Sequence, residues 1–228
     1  MILIRHGHAV RVNGRYLNVP LTPLGQKQAN LTGAYLCKQQ EHFDGFYCSP
    51  LPRARETAAR IGVPLKQIPH IRHGIQEWET LEVPLLIAFE TLAHTGILGQ
   101  YLYTHSGKPF WWPVAGRVSK VLTGLIAQHP NQRIAVVVHS GIISSVLAWY
   151  FPERRRHWWS YTMDNCSLTK LLIDGTHAQL VRVNNTDHLR PEETTTQPPA
   201  ESVIAVTGVE KAVDKKLDEV QGKPPSPK

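Results

Sequence analysis

Two uninterrupted apolar runs, Ile2-Leu3-Ile4 and Ile134-Ala135-Val136-Val137-Val138, stand out in a chain that otherwise mixes apolar and polar positions. Short, mostly β-branched runs of this kind read as strands buried on both faces, as in a parallel sheet covered by helices. Around them the apolar positions recur at helical spacing. Thr22 supplies an N-cap and Pro23 a first helical residue, and Leu24, Ala29, Leu31, Ala34, Tyr35 and Leu36 carry that helix to about Gln40. Residues 43–48 predict a second strand ended by Ser49-Pro50, residues 52–61 a helix, and residues 63–68 a third strand. Further on, helices are expected over 114–129 and 142–150. Strands over 167–173 and 179–183 are joined by the Asp174-Gly175 turn. Strands alternating with helices predict a three-layer α/β domain.

Two stretches break this rhythm. Residues 69–113, with Trp78, Pro84, Gly96, Gly99, Trp111 and Trp112, read as a long excursion with a short helix near 85–93, able to cap a site. After Leu189 the composition turns to Thr, Pro, Gln, Glu and Lys. That places one domain over 1–190 and a disordered tail over 191–228. Val206, Val209, Val213, Leu217 and Val220 keep helical spacing within the tail, but valine is a mediocre helix former and a flexible segment is the expectation.

Composition narrows the class. A hydrophobic content of 42% is ordinary for a globular domain, no apolar run approaches the ~20 residues of a membrane span, and no signal peptide is recognisable. Three cysteines without metal-ligand or redox spacing fit reduced thiols and a cytoplasmic protein. The net charge of +7 is uneven: residues 191–228 hold seven acidic side chains and five lysines, which leaves +9 on the first 190 residues. A basic body attracts phosphorylated ligands, nucleic acid or anionic membrane, and only local motifs can choose among them.

The chemistry lies in a repeated device. Each apolar run delivers a histidine closely followed by glycine, in Arg5-His6-Gly7 and in His139-Ser140-Gly141. If both strands are central and parallel, the imidazoles meet at the carboxyl edge of the sheet, where open α/β sheets hold ligands. Gly141 would open a helix whose N–H groups face an anion. Arg5, and Arg53 in the first turn of the 52–61 helix, add guanidinium forks for phosphate. One imidazole can then attack phosphorus while the other stabilises the transferring group.

Arg5-His6-Gly7, Pro20-Leu21-Thr22-Pro23-Leu24-Gly25-Gln26-Lys27-Gln28-Ala29, Ser49-Pro50-Leu51-Pro52-Arg53-Ala54-Arg55-Glu56-Thr57-Ala58 and His139-Ser140-Gly141, in this order, resemble the histidine phosphatase superfamily, and within it the phosphoglycerate mutase-like branch. The resemblance covers about residues 1–190. It implies an α/β/α sandwich with a mostly parallel central sheet, and a phosphomonoesterase in which His6 is the nucleophile that becomes phosphohistidine. His139 is its catalytic partner, and Arg5, Arg53, Gly7, Ser140 and Gly141 bind phosphate. It further implies Glu77, beside Trp78, as proton donor with Glu79 in reserve, and neither metal nor organic cofactor. The chain departs from the family where His8 stands in place of a frequent glutamate. The loop that follows is short, leaving Arg11, Asn13 and Tyr16 as candidate substrate-binding residues.

The alternatives are a phosphoglycerate-type mutase and a catalytically weak module that holds phosphorylated ligands. The arginine-rich substrate segment of the glycolytic mutases has no clear counterpart, which favours hydrolysis. An HxH metal site at His6 and His8, completed by His139, lacks a carboxylate or cysteine at a supporting spacing. Arg154-Arg155-Arg156-His157-Trp158-Trp159 mixes basic and aromatic residues as single-stranded nucleic-acid sites do, but a solvated turn followed by core tryptophans accounts for it better. The expected partner is a small phosphorylated substrate, not nucleic acid or membrane; the oligomeric state is left open. Attack requires neutral His6 and is helped by protonated His139, so activity is expected to titrate near the ordinary imidazole value of ~6.5.

Overall fold

The computed structural model describes residues 1–10, 18–77, 112–152, 163–175 and 177–195. Its six strands form one sheet: β1 (Ile2–Arg5), β2 (Gly45–Cys48), β3 (His70–Ile71), β4 (Ile134–Val138), β5 (Leu168–Asp174) and β6 (His177–Asn185), in the spatial order β3-β2-β4-β1-β5-β6. The pairs β1–β4, β2–β4 and β2–β3 are parallel, and β5 runs antiparallel to both β1 and β6. Only β5 opposes the other strands, so the sheet is mostly parallel, as expected.

Helices α1 (Pro23–Lys38), α2 (Pro52–Leu65), α3 (Trp112–Gln128) and α4 (Ser140–Tyr150) cover it. Alternation along the central strands feeds two cores. Leu3, Val136 and Val138 pack with Val118, Leu122 and Leu125 of α3 and with Ile142, Ile143, Val146 and Leu147 of α4. Ile2, Ile4, Ala135 and Val137 face the other way, onto Leu36 of α1 and Ala54, Ala58 and Ile61 of α2. Burial on both faces is why these strands read as continuous apolar runs. The result is a three-layer α/β/α sandwich. Among the described residues no helix is long and apolar enough to cross a membrane.

The third strand departs from expectation. Residues 63–65 extend α2, which ends when Lys66 takes a left-handed conformation and its N–H reaches the Gly62 and Val63 carbonyls. Val63 and Ile68 are 77% and 84% exposed, so their apolar character signalled no sheet face. The strand is the two-residue β3 instead. Helix α4 also starts earlier than the apolar pattern suggested, with His139 itself at the N-cap. The chain stays in contact with the domain past the composition change at 190: Pro191–Glu193 form a 3-10 turn and Thr195 bonds to Asp164 and Asn165. The proposed 85–93 helix, Trp78, Trp111, the 154–159 cluster and the 206–220 valine stripe lie outside the described residues.

Candidate active site

Strand register brings the two histidines together. Arg5 pairs with Val138 across the parallel β1–β4 ladder, and His6 N–H continues it by donating to the Val138 carbonyl at 2.9 Å. His6 and His139 therefore leave adjacent strands side by side, with ring centroids 5.1 Å apart and planes inclined at 58°. Both rings are buried.

Hydrogen bonding fixes the state of His6. Its Nδ1 lies 2.7 Å from the Gly7 carbonyl oxygen. A carbonyl only accepts, so Nδ1 carries the proton and Nε2 keeps its lone pair. Arg53 Nε–H donates to that Nε2 at 3.2 Å. Burial, then the Arg5 and Arg53 guanidiniums, push the proton affinity of His6 well below the usual imidazole range. His6 is thus a neutral imidazole whose Nε2 lone pair is directed at a cation.

His139 is set by Ser49, whose Oγ is 2.8 Å from His139 Nε2. Ser49 directly follows β2, which neighbours β4, and its own N–H donates to the Val137 carbonyl. The expectation of a protonated His139 is not met. Burial, followed by His6, Arg53 and Arg5, lowers its proton affinity as well. Two imidazoles and two guanidiniums packed together cannot all carry charge, and the imidazoles are the groups that yield. A phosphate dianion among them would act in the opposite sense. His139 Nδ1 is buried without a hydrogen-bond partner among the described residues.

The remaining candidates arrive from different elements. Arg5 is buried and its Nη1 donates to the Met163 carbonyl. Arg53 is buried in the first turn of α2. Glu77 is buried, and its Oε2 accepts the Gly141 N–H at 3.3 Å in the first turn of α4. This carboxyl group and His139 therefore meet at one helix start, beside the position where an anion gains from the helix dipole. Ser140 opens α4. The N–H of Gly7 is occupied by Thr57 Oγ1 at 3.0 Å, so Gly7 contributes close approach rather than a free donor: a Cβ there would lie 2.6 Å from the Gly25 carbonyl oxygen. Arg11, Asn13 and Tyr16 lie outside the described residues, as does Trp78.

His8 proves to be a structural residue of the turn. The Thr22 hydroxyl donates to the His8 carbonyl at 3.2 Å, so at 2.8 Å it accepts from His8 Nδ1–H. Sequence reasoning missed four bracing side chains: Ser49, Thr57, Gln28 and Asn165. Ser49, Thr57 and Gln28 all lay inside the motifs, and at Ser49 and Thr57 the small hydroxyl side chains gave a usable signal. Gln28 and Asn165 gave none. Burial raises the Cys48 and Cys166 thiols to about 11 and about 12, so neither is an activated thiolate. Among the described residues no group of three or more His, Cys, Asp or Glu side chains is placed to hold a metal ion.

A neutral imidazole aimed at buried guanidiniums, with a carboxyl group at an adjoining helix start, is an arrangement able to bind phosphate and transfer a phosphoryl group. Comparison with known proteins places it further. The family model for the histidine phosphatase superfamily (branch 1) matches residues 1–186, and the chain belongs to that family. It is a phosphoric monoester hydrolase with the phosphoglycerate mutase-like fold. Phosphoserine phosphatase 1 of Hydrogenobacter thermophilus is 26% identical over 201 residues, spanning 83% of this chain and 93% of that protein. A broad-specificity phosphatase of Saccharomyces cerevisiae is 25% identical over 83% of this chain and 86% of its own length. The crystal structure of a histidine-to-alanine mutant of Entamoeba histolytica phosphoserine phosphatase with phosphoserine superposes with a TM-score of 0.65 at 26% identity, over 83% of this chain and 98% of that one.

Proposed function

We propose that the chain hydrolyses small phosphate monoesters in two steps on His6. Nε2 attacks phosphorus, the P–O bond to the alcohol breaks, and Glu77 gives its proton to the departing oxygen. Water then attacks the phosphohistidine and passes a proton to the Glu77 carboxylate. The N–P bond breaks, and inorganic phosphate leaves. Arg5 and Arg53 hold the equatorial oxygens throughout, with His139 beside them. The observation that carries this reading is the His6 tautomer: Nδ1–H on the Gly7 carbonyl leaves Nε2 unprotonated and 3.2 Å from Arg53 Nε.

The substrate class we infer is a small phosphorylated metabolite bearing a carboxylate. Its support is the pair of Entamoeba histolytica phosphoserine phosphatase complexes, with phosphoserine and with 3-phosphoglyceric acid, at 26% and 25% identity. The +9 charge of the first 190 residues suits such an anion. We take neither nucleic acid nor membrane as a partner, no metal as a requirement, and the cytoplasm as the compartment; the buried thiols Cys48 and Cys166 suit a reducing one.

The test is turnover of p-nitrophenyl phosphate and of phosphoserine, with and without a chelator. Release of inorganic phosphate, abolished in His6→Ala and indifferent to chelator, is expected. Absence of turnover across a panel of phosphorylated metabolites would refute the reading, and isomerised product in place of free phosphate would identify a mutase.

A further inference from the structure

The backbone from His6 to His8 is held at every polar group. Its two peptide units are each fixed by a buried carboxamide: Asn165 Nδ2 donates to the His6 carbonyl at 2.8 Å, and Gln28 Oε1 accepts the His8 N–H at 2.8 Å. The first bond orients the His6–Gly7 peptide, whose N–H reaches Thr57. The second orients the Gly7–His8 peptide, whose carbonyl is the group that holds the Nδ1 proton of His6. Gln28 and Asn165 are both buried, so neither has solvent to complete its hydrogen bonding.

One short segment completes both. Gln28 Nε2 donates to the Glu193 carbonyl at 2.6 Å. Thr195 Oγ1 donates to Asn165 Oδ1 at 2.9 Å and accepts the Asn165 N–H at 3.1 Å. The segment is anchored independently: Lys27 Nζ meets Glu193 Oε1 at 2.8 Å, Glu193 Oε2 accepts the Arg190 N–H at 2.9 Å, and Thr195 N–H reaches Asp164 Oδ1 at 3.0 Å. Residues 190–195 thus touch the nucleophile's turn from both sides through two relays, without reaching His6 themselves.

We infer that residues 190–195 form a clasp that positions the nucleophile, with Thr195, Gln28 and Asn165 as positioning residues. Through the two peptide planes the clasp keeps His6 as the Nδ1–H tautomer and keeps Nε2 on line with phosphorus. The inference rests on His6 being the attacking group. Its energetic logic is that of a pre-set reactive geometry, in which a small misplacement costs rate more than affinity.

Thr195→Val in the full chain keeps the side-chain shape and removes the hydroxyl that both gives and takes a hydrogen bond. With p-nitrophenyl phosphate, kcat should fall at least about 10-fold while KM stays within about 2-fold. Thr195→Ser, which keeps the hydroxyl, should restore kcat. Proton–nitrogen correlation spectra of the histidine rings provide a readout that needs no turnover: His6 should be a single Nδ1–H tautomer in the wild type and a mixture in Thr195→Val. Wild-type kcat in Thr195→Val, failure of Thr195→Ser to restore it, or an unchanged tautomer in Thr195→Val would overturn the clasp. Failure of the wild type to turn over would instead strike at the proposed hydrolysis, and the ring spectra would still decide the clasp.

Discussion

Replacing Arg53 by methionine removes a buried guanidinium while leaving a flexible apolar side chain of comparable length. In the structure Arg53 Nε–H donates to His6 Nε2 at 3.2 Å, so the group already lies where a transferring phosphoryl would meet the nucleophile. Loss of one preorganised donor to a developing charge typically costs about 2.7–4 kcal/mol, or roughly 10²–10³ in kcat, and Arg53→Met is expected in that range. A second effect accompanies it. Arg53 is among the causes that lower the proton affinity of His6, but burial is the larger one. In Arg53→Met the acid limb of kcat/KM should therefore move to higher pH while staying below the ordinary imidazole value of ~6.5. Arg55, on the same helix but exposed, is the matched control, and Arg55→Met should retain wild-type rates. The assay is steady-state turnover of p-nitrophenyl phosphate over a pH series. A kcat within a few-fold of wild type, or an acid limb that does not move, would refute the placement of Arg53 on the phosphoryl group and against His6.

Other substitutions test separate parts of the account. Glu77→Gln should slow hydrolysis of alkyl phosphates such as phosphoserine steeply and spare p-nitrophenyl phosphate, whose leaving group needs little protonation; equal losses on both would remove Glu77 as the proton donor. Gly25→Ala should destabilise the fold by at least about 2 kcal/mol in urea denaturation, as overpacking does, because its Cβ would stand 2.0 Å from the His8 carbonyl oxygen; an unchanged midpoint would contradict the packing of the turn on α1. His188 bonds through Nε2 to the Cys166 carbonyl at 3.1 Å, and burial lowers it to about 4. Its neutral form is favoured by folding, so its contribution is complete above ~6.5 and lost as pH falls towards 4, amounting to about 3 kcal/mol. His6 and His139 act in the same sense, so the check is the difference in slope between wild type and His188→Gln over that window. Equal slopes would refute the assignment.

The parts of this molecule legible in its sequence are those set by local pattern. Ile2–Ile4 and Ile134–Val138 read as buried strands, and their shared ending brings His6 and His139 to one edge if both are central and parallel, as their register shows them to be. The third strand misled because Val63 and Ile68 are apolar but exposed; Pro64 came late enough in α2 to be tolerated next to the left-handed Lys66. The side chains that brace the turn were illegible for another reason. Gln28 and Asn165 make their deciding contacts 165 and 159 residues away in sequence, and nothing in the local composition distinguishes them from surface polar residues. The charge state of His139 was equally hidden, since it depends on how deeply four cationic or potentially cationic groups are packed together.

Trapping the intermediate tests the hydrolytic mechanism itself. Wild-type protein mixed with a fast aryl phosphate and quenched in alkali, which preserves phosphohistidine, should carry one phosphoryl group on Nε2 of His6. Peptide mass spectrometry and phosphorus NMR would read it, and Glu77→Gln should lengthen its lifetime by slowing attack of water. A phosphoryl group on His139 or on any other residue, or turnover with none trapped on His6, would contradict the account.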